Sequence, residues 1–114
     1  MKFKGKTEGD VLIMSLSGKI MGGPDFEKFH EQVKNMVAEG HRKFLFDMTG
    51  ATWLNSTGMG IMVSAHISIT GAEGRLVICG ANKRIKGIYY VSQLDKVFET
   101  FDTVAEGMAA LAAD

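Results

Sequence analysis

The sequence predicts an α/β domain with a mixed, mostly parallel central sheet and about four helices. Short apolar strands alternate with helical segments along the chain, which is typical of a sheet covered by helices. Several of these strands are apolar on both faces, as strands buried between two layers are. A Gly9-Asp10 turn joins the first two strands, so the sheet is expected to open with an antiparallel hairpin.

The first half of the chain is predicted to contain three strands and one helix. The strands are residues 3–7, 11–17 and 43–48, with a loop at 49–52. Strand 11–17 is largely apolar on both faces, which places it inside the sheet. Pro24 lies in the first turn of the helix and Gly40 ends it, in keeping with the positional preferences of these residues.

The second half is predicted to alternate helix, strand, helix, strand and helix. The elements are a helix at about 57–70 with Gly71 at its end, a strand at 75–80, a weaker helix at 82–94, a strand at 97–101 and a final Ala-rich helix. Thr103 and Glu106 have the spacing of a capping box for that last helix. Val104, Met108 and Leu111 recur at helical spacing and form its expected buried stripe.

Composition limits the possible functions. The 114 residues fit one domain, residues 1–114. Lys plus Arg equals Asp plus Glu at 13 each, which argues against direct nucleic-acid binding through a basic surface. No window is apolar enough to enter a membrane, and the charged N-terminus does not resemble a signal peptide. The single Cys79 cannot form an internal disulfide, so a cytoplasmic protein is expected.

The stretch WLNSTGMGIMVSAH, residues 53–66, joins a strand to a helix. Asn55 and Ser56 are good helix caps, because their side-chain oxygens accept bonds from unpaired backbone N–H groups. Gly58 and Gly60 are unexpected there, since each costs about 1 kcal/mol relative to Ala inside a helix. Either a molecule approaches the first turn closely, or the helix packs tightly on the sheet.

Two chemical interpretations of this stretch each lack a residue that the chemistry requires. Gly58-Met59-Gly60 resembles a phosphate-binding loop, but Val63 replaces the third glycine of the dinucleotide motif and no Gly-Lys-Ser/Thr follows. A serine nucleophile would need a base, and His66 lies roughly 15 Å along the helix at 1.5 Å per residue. Neither it nor His30 or His41 has metal-ligand spacing with another histidine or with Cys79. No catalytic residue, metal or cofactor is therefore expected.

The order of motifs resembles the STAS-domain anti-sigma factor antagonists of bacteria. The segments that carry the resemblance are LIMSLSGKI, KFLFDM, NSTGMG, RLVICGANKRIKG and the late Leu94-Asp95-x-Val97-Phe98. NSTGMG matches the family motif Asp/Asn-Ser-Ser/Thr-Gly-hydrophobic-Gly, whose first hydroxyl residue is the phosphoacceptor. The resemblance therefore implies phosphorylation of Ser56 rather than Thr57.

The resemblance also implies a partner-binding surface and a mechanism. The expected partner-binding residues are Asn55, Ser56, Thr57, Gly58, Met59 and, in the loop after the second strand, Met21. Ordinary core packing is an equally good explanation for Met59 and the better one for Met62. The protein would be a non-enzymatic switch that binds an anti-sigma factor with a GHKL-type serine kinase fold when unphosphorylated. That kinase would phosphorylate Ser56 and a PP2C-like phosphatase would reset it. The alternative is an unphosphorylated STAS adaptor or scaffold subunit of a transport or stress-sensing complex.

The chain departs from the family pattern at two places. Many relatives carry Asp where this chain has Asn55, which preserves capping but changes the local charge. Relatives often carry acidic residues in the loop after the second strand, whereas residues 18–23 of this chain read GKIMGG. A partner that meets this loop should therefore differ in charge from those of the relatives.

Overall fold

An antiparallel hairpin forms one edge of the sheet. In the computed structural model, which describes residues 1–113, β1 (Lys2–Glu8) pairs with β2 (Val11–Ile20). The turn between them places Gly9 at φ 62°, a left-handed conformation that glycine adopts without a steric penalty. The predicted Gly9-Asp10 turn is therefore confirmed.

The other three strands extend the sheet in parallel. They are β3 (Lys43–Leu54), β4 (Arg75–Cys79) and β5 (Glu99–Phe101), and the five strands lie in the order β1-β2-β3-β4-β5. β2 is an interior strand, as its two apolar faces predict. The predicted α/β class and mixed, mostly parallel sheet are confirmed.

Four helices cover the sheet unequally. They are α1 (Pro24–Ala38), α2 (Ser56–Gly71), α3 (Lys83–Val91) and α4 (Val104–Ala112), and a three-residue 3₁₀ helix, Leu94–Lys96, follows α3. The buried residues of α1, α2 and α3 join one large core on one face of the sheet. Leu111 of α4 joins a smaller core on the opposite face, so that face is covered by one short helix alone.

Aromatic residues hold α1 to the sheet. Phe29 is fully buried, and its ring meets the ring of Phe46 on β3 edge-on at 5.4 Å. Phe3 of β1 meets the same Phe29 ring at 5.5 Å. Truncating such a buried Phe to Ala typically costs about 3–5 kcal/mol, so this cluster contributes strongly to holding α1 on the sheet.

The prediction of a loop at residues 49–52 is wrong, because β3 continues through these residues to Leu54. β2 is also longer than predicted, and the two strands stay paired up to Ile20 and Leu54. Two register shifts in this pairing absorb the turn-forming residues around Gly50. At the first of them, the Asp47 carboxylate accepts bonds from the backbone N–H and the hydroxyl of Thr49, at 3.0 and 2.6 Å.

The last two predicted boundaries also shift. The third helix is predicted at 82–94 but ends at Val91. Two residues later Gln93 takes φ 60°, a left-handed conformation that does not continue a helix. The final strand was expected at 97–101 and is reduced to Glu99–Phe101. The capping interaction of α4 is confirmed, since the Glu106 N–H donates to the Thr103 hydroxyl oxygen at 3.1 Å.

Candidate functional site

Asn55 fixes the start of α2 at the carboxyl end of β3. Its side-chain oxygen accepts the Gly58 N–H at 2.8 Å, and its carbonyl oxygen accepts the Met59 N–H at 2.8 Å. Its own N–H donates to the Ile20 carbonyl at 3.4 Å, which ties the helix start to the end of β2. The N-cap is therefore Asn55, and Ser56 is the first residue of the helix. The capping bond is made by the Asn55 side chain and not by the Ser56 hydroxyl.

Gly58 lies where α2 touches the sheet. A Cβ placed on it would stand 2.0 Å from the Ile20 carbonyl oxygen and 3.0 Å from Cδ1 of Leu54. No side chain fits in that space, so only glycine allows the helix to begin so close to β2. Of the two reasons expected for glycine in this turn, tight packing on the sheet accounts for Gly58.

The turn between β2 and α1 lies against the same end of α2. A Cβ on Gly22 would stand 2.8 Å from the Thr57 methyl group, so Thr57 turns its methyl towards this turn. Met21 directly precedes Gly22 and is 38% exposed. The structure therefore brings the segment of residues 20–22 together with residues 54–59, although they lie more than thirty positions apart in the chain.

Ser56 is exposed beside an open patch of helix. Gly60 follows it by four residues and therefore lies on the same face, one turn along. A Cβ on Gly60 would meet nothing within 4 Å, so packing does not require glycine there. Gly60 instead adds no side chain to the exposed surface one turn along from Ser56.

The two methionines of this turn have different environments. Met62 is fully buried in the larger core, as expected. Met59 is half-buried against that core, and its sulfur accepts a hydrogen bond from the Ser92 hydroxyl at 3.7 Å. Met59 therefore serves packing and also joins the end of α3 to the first turn of α2.

The two segments that build the Ser56 site carry little charge. The two segments that meet at this site, residues 18–23 and 53–60, contain one charged side chain, Lys19. His66 lies further along α2, where its ring packs on Phe98 at 5.5 Å. Cys79 lies buried in β4, and burial is the main reason why the pKa of its thiol is raised to about 11. The site thus presents a neutral hydroxyl at the positive end of a helix dipole.

The described part of the chain offers neither a metal site nor a membrane span. No three His, Cys, Asp or Glu residues within residues 1–113 come together in a way that could hold a metal ion. None of the helices formed by these residues is long and apolar enough to cross a membrane.

Two contacts near the site were not predicted from the sequence. One is the Ser92 bond to Met59 described above. The other joins the Asn82 side-chain amide to the Ala51 and Thr52 carbonyls at 3.2 and 3.4 Å. Asn82 also caps α3 by accepting the Ile85 N–H at 2.9 Å, and an Asn before a helix is a recognisable signal. The bonds from Asn82 to Ala51 and Thr52 depend on the extension of β3, so the residues around Asn82 in the sequence do not indicate them.

Comparison with known proteins places this geometry in a family. A protein of Thermotoga neapolitana, provisionally named an anti-sigma factor antagonist, is 21% identical over 70 residues, 61% of this chain and 62% of that protein. A Thermotoga maritima structure, provisionally named in the same way, superposes with TM-score 0.86 at 21% identity, covering 96% and 94% of the two chains. SpoIIAA of Bacillus in its phosphorylated form superposes with TM-score 0.75 at 12% identity, covering 96% and 99%.

These two structural similarities concern the fold, because both identities are low. The alignment to the Thermotoga neapolitana protein spans slightly less than two thirds of that relative. The family model named STAS domain matches residues 3–107, which is nearly the whole chain and includes every element that builds the Ser56 site. The protein is thus a member of the STAS domain family.

Proposed function

We propose that this protein is an anti-sigma factor antagonist controlled by phosphorylation of Ser56. In this proposal the unphosphorylated protein binds an anti-sigma factor of the GHKL-type serine kinase fold and so releases a sigma factor. The bound kinase phosphorylates Ser56 with ATP, and a PP2C-like phosphatase removes the phosphate. The protein itself catalyses no reaction and acts by binding, in the cytoplasm.

The observation that carries the proposal is the exposed Ser56 hydroxyl at the start of α2, relieved of capping by Asn55. A kinase must bring its ATP within bonding distance of that oxygen, and the bare surface at Gly60 leaves room for it. The names of the relatives, which include anti-sigma factor antagonists and a phosphorylated form, support the same conclusion.

The helix start can carry a phosphate without unfolding. Phosphorylation adds about −1.5 to −2 charges at neutral pH. By the geometry of a helix, the N–H groups of Ser56 and Thr57 have no backbone acceptor within α2, whereas the Gly58 N–H donates to the Asn55 side chain. The helix dipole also favours negative charge at this end. A partner surface formed around a neutral hydroxyl has no such compensation, so the phosphate should disrupt binding and leave the fold intact.

The proposed partner surface combines Asn55, Ser56, Thr57, Gly58 and Met59 with Met21. Gly58 is buried and contributes by allowing the close packing that positions its neighbours. Met21 and Lys19 give the β2–α1 side of this surface an apolar and weakly basic character. We therefore expect the cognate partner to lack a basic contact at this point.

A phosphate-mapping experiment tests the proposal. The protein is incubated with ATP and the GHKL-type kinase of the same organism that binds it, and mass spectrometry should find one phosphate, on Ser56. Ser56→Ala should abolish it, whereas the control Thr57→Val, which retains a methyl towards Gly22, should not. A phosphate on Thr57, or none with a kinase that binds, would contradict the assignment and favour the unphosphorylated adaptor.

A second variant pair tests the open patch. Gly60→Gln should weaken kinase binding, because it fills the space beside Ser56. Gly71→Gln is the matched control, since it adds the same side chain to an equally open glycine at the far end of the same helix. Equal binding by both variants would show that the partner does not use the Gly60 surface.

A further inference from the structure

The edge strand β1 carries a row of lysines on one face. Lys2, Lys4 and Lys6 alternate along it, and alternate residues of a strand point to the same side. Phe3 points to the other side, where its ring packs against Phe29 of α1. The lysine row therefore lies on the face of the sheet opposite α1.

The three lysines are not neutralised by an ion pair among residues 1–113, although Glu8 follows them on the same face of β1. All three are exposed, and none of them forms an ion pair with any residue in 1–113. Other lysines do, since Lys43 pairs with Asp10 at 3.1 Å and Lys86 with Asp102 at 2.5 Å. The row is therefore a locally positive stretch of the edge strand, with Glu8 at its end.

A cleft of about 750 Å³ lies beside the row. The residues that line it include Ser17 and Ser15, which lie directly opposite Lys2 and Lys4 in the β1–β2 register. The helix that covers this face, α4, packs against β3 and β4 through Leu111, and it leaves the serines and lysines uncovered.

Two carboxylates also line the cleft, and both are engaged within the protein. Asp25 lies 3.7 Å from the Met1 ammonium group. Asp47 accepts the backbone N–H and the hydroxyl of Thr49. Both keep their negative charge, but neither forms an ion pair with a lysine of the row.

The spacing of the row matches an extended peptide. Side chains on one face of a strand recur every 6.6–6.8 Å or so, and the same repeat occurs in any other extended chain. A segment with acidic residues at every second position can therefore place one carboxylate beside each lysine. An edge strand also has one row of backbone groups that its neighbour in the sheet does not use, available to an added strand.

The same lysines discourage pairing between two copies of β1. Lysine on an edge strand opposes self-association, because like charges would face each other. An acidic strand would instead place opposite charges beside the lysines. We propose that β1 is a docking edge for an extended acidic segment of a partner protein, with Asp or Glu at alternate positions, which adds a sixth strand beside Lys2, Lys4 and Lys6. This interaction is independent of Ser56 and of its phosphorylation.

A synthetic peptide tests the docking edge. The probe is a fluorescein-labelled peptide with Glu at every second position and Val or Thr between, and the control is a peptide of the same composition with its Glu residues adjacent. Fluorescence anisotropy should give binding of the alternating peptide that is at least about tenfold tighter, because only this peptide can pair each acid with a lysine along a strand. Backbone amide shifts in residues 2–8 should change on titration.

Charge-reversal variants complete the test. Lys4→Glu should weaken binding of the alternating peptide at least about tenfold, because it puts like charges opposite each other. Lys28→Glu makes the same charge change on the exposed surface of α1 and should leave binding unchanged. Equal binding of the two peptides, or an equal loss in both variants, would overturn the proposal. So would binding of an oligonucleotide or of anionic phosphatidylserine vesicles as tightly as the alternating peptide.

Discussion

Gly58 and Gly60 give opposite predictions for the same substitution two residues apart. Gly58→Ala places a Cβ 2.0 Å from the Ile20 carbonyl oxygen, whereas Gly60→Ala places one in open space. Real Cβ atoms essentially never approach another atom closer than 3.0 Å. The start of α2 must therefore move away from β2 by about an ångström in Gly58→Ala, against a backbone atom that cannot rotate aside.

The magnitudes follow from packing and helix propensity. Overpacking in a well-packed core costs about 1–3 kcal/mol, and contact with backbone favours the upper end of this range. Replacing Gly by Ala inside a helix returns about 1 kcal/mol. Gly58→Ala should then lower the free energy of unfolding by about 2 kcal/mol, while Gly60→Ala should raise it by up to about 1 kcal/mol.

Urea denaturation followed by circular dichroism measures both changes. The difference between the two variants should be about 3 kcal/mol, which is well outside the error of the method when the slopes agree. Gly58→Ala should also weaken partner binding, because Ser56 moves with the helix start. If Gly58→Ala is as stable as the unmodified protein, α2 does not approach β2 so tightly and packing on the sheet is not the reason for glycine at position 58.

Three further predictions concern the cap and two buried side chains. Ser56→Ala should change the free energy of unfolding by no more than about 0.5 kcal/mol, whereas Asn55→Ala should cost about 0.5–2 kcal/mol because it removes the cap; equal losses in urea denaturation would assign the capping role to Ser56. The buried Tyr89 hydroxyl has no hydrogen-bond partner among the described residues, so Tyr89→Phe should be neutral or stabilise by up to about 1 kcal/mol, and a clear loss of stability would mean that the hydroxyl is bonded. Because burial raises the pKa of the Cys79 thiol from 9.0 to about 11, the unfolded chain releases this proton first, and the protein should lose stability between these two pH values. Cys79→Ala should lack the loss of stability that comes from this thiol. An identical dependence of the free energy of unfolding on pH in the variant would show that Cys79 is not its source.

Much of the fold could be predicted because its signals are local. Gly40 follows the end of α1 as expected, Thr103 caps α4, and the alternation of apolar strands with helices indicates the correct class. The β3 extension could not be predicted in this way. Thr49 and Gly50 have turn chemistry, and only the pairing with the distant end of β2 keeps them in a strand.

In the candidate site, too, features with local signals could be predicted and features that depend on tertiary contacts could not. Asn55 and Ser56 could be placed at a helix start from sequence alone, because capping depends on neighbouring residues. The different roles of Gly58 and Gly60 could not, since they depend on how far each lies from Ile20 in space. The contact of Met59 with Ser92 joins two helices and has no sequence signal either.

The affinity of the phosphorylated protein for its kinase partner tests the central claim most directly. The protein phosphorylated on Ser56 and the unmodified protein are titrated into the partner by isothermal calorimetry, with Ser56→Asp as a weaker mimic and circular dichroism as the check on folding. An unpaired charge buried at a contact costs several kcal/mol, and each 1.4 kcal/mol or so is tenfold in affinity. The phosphorylated protein should therefore bind at least about tenfold more weakly, with its fold intact. Equal affinity of the two forms would contradict the switch and favour a STAS adaptor that works without phosphorylation.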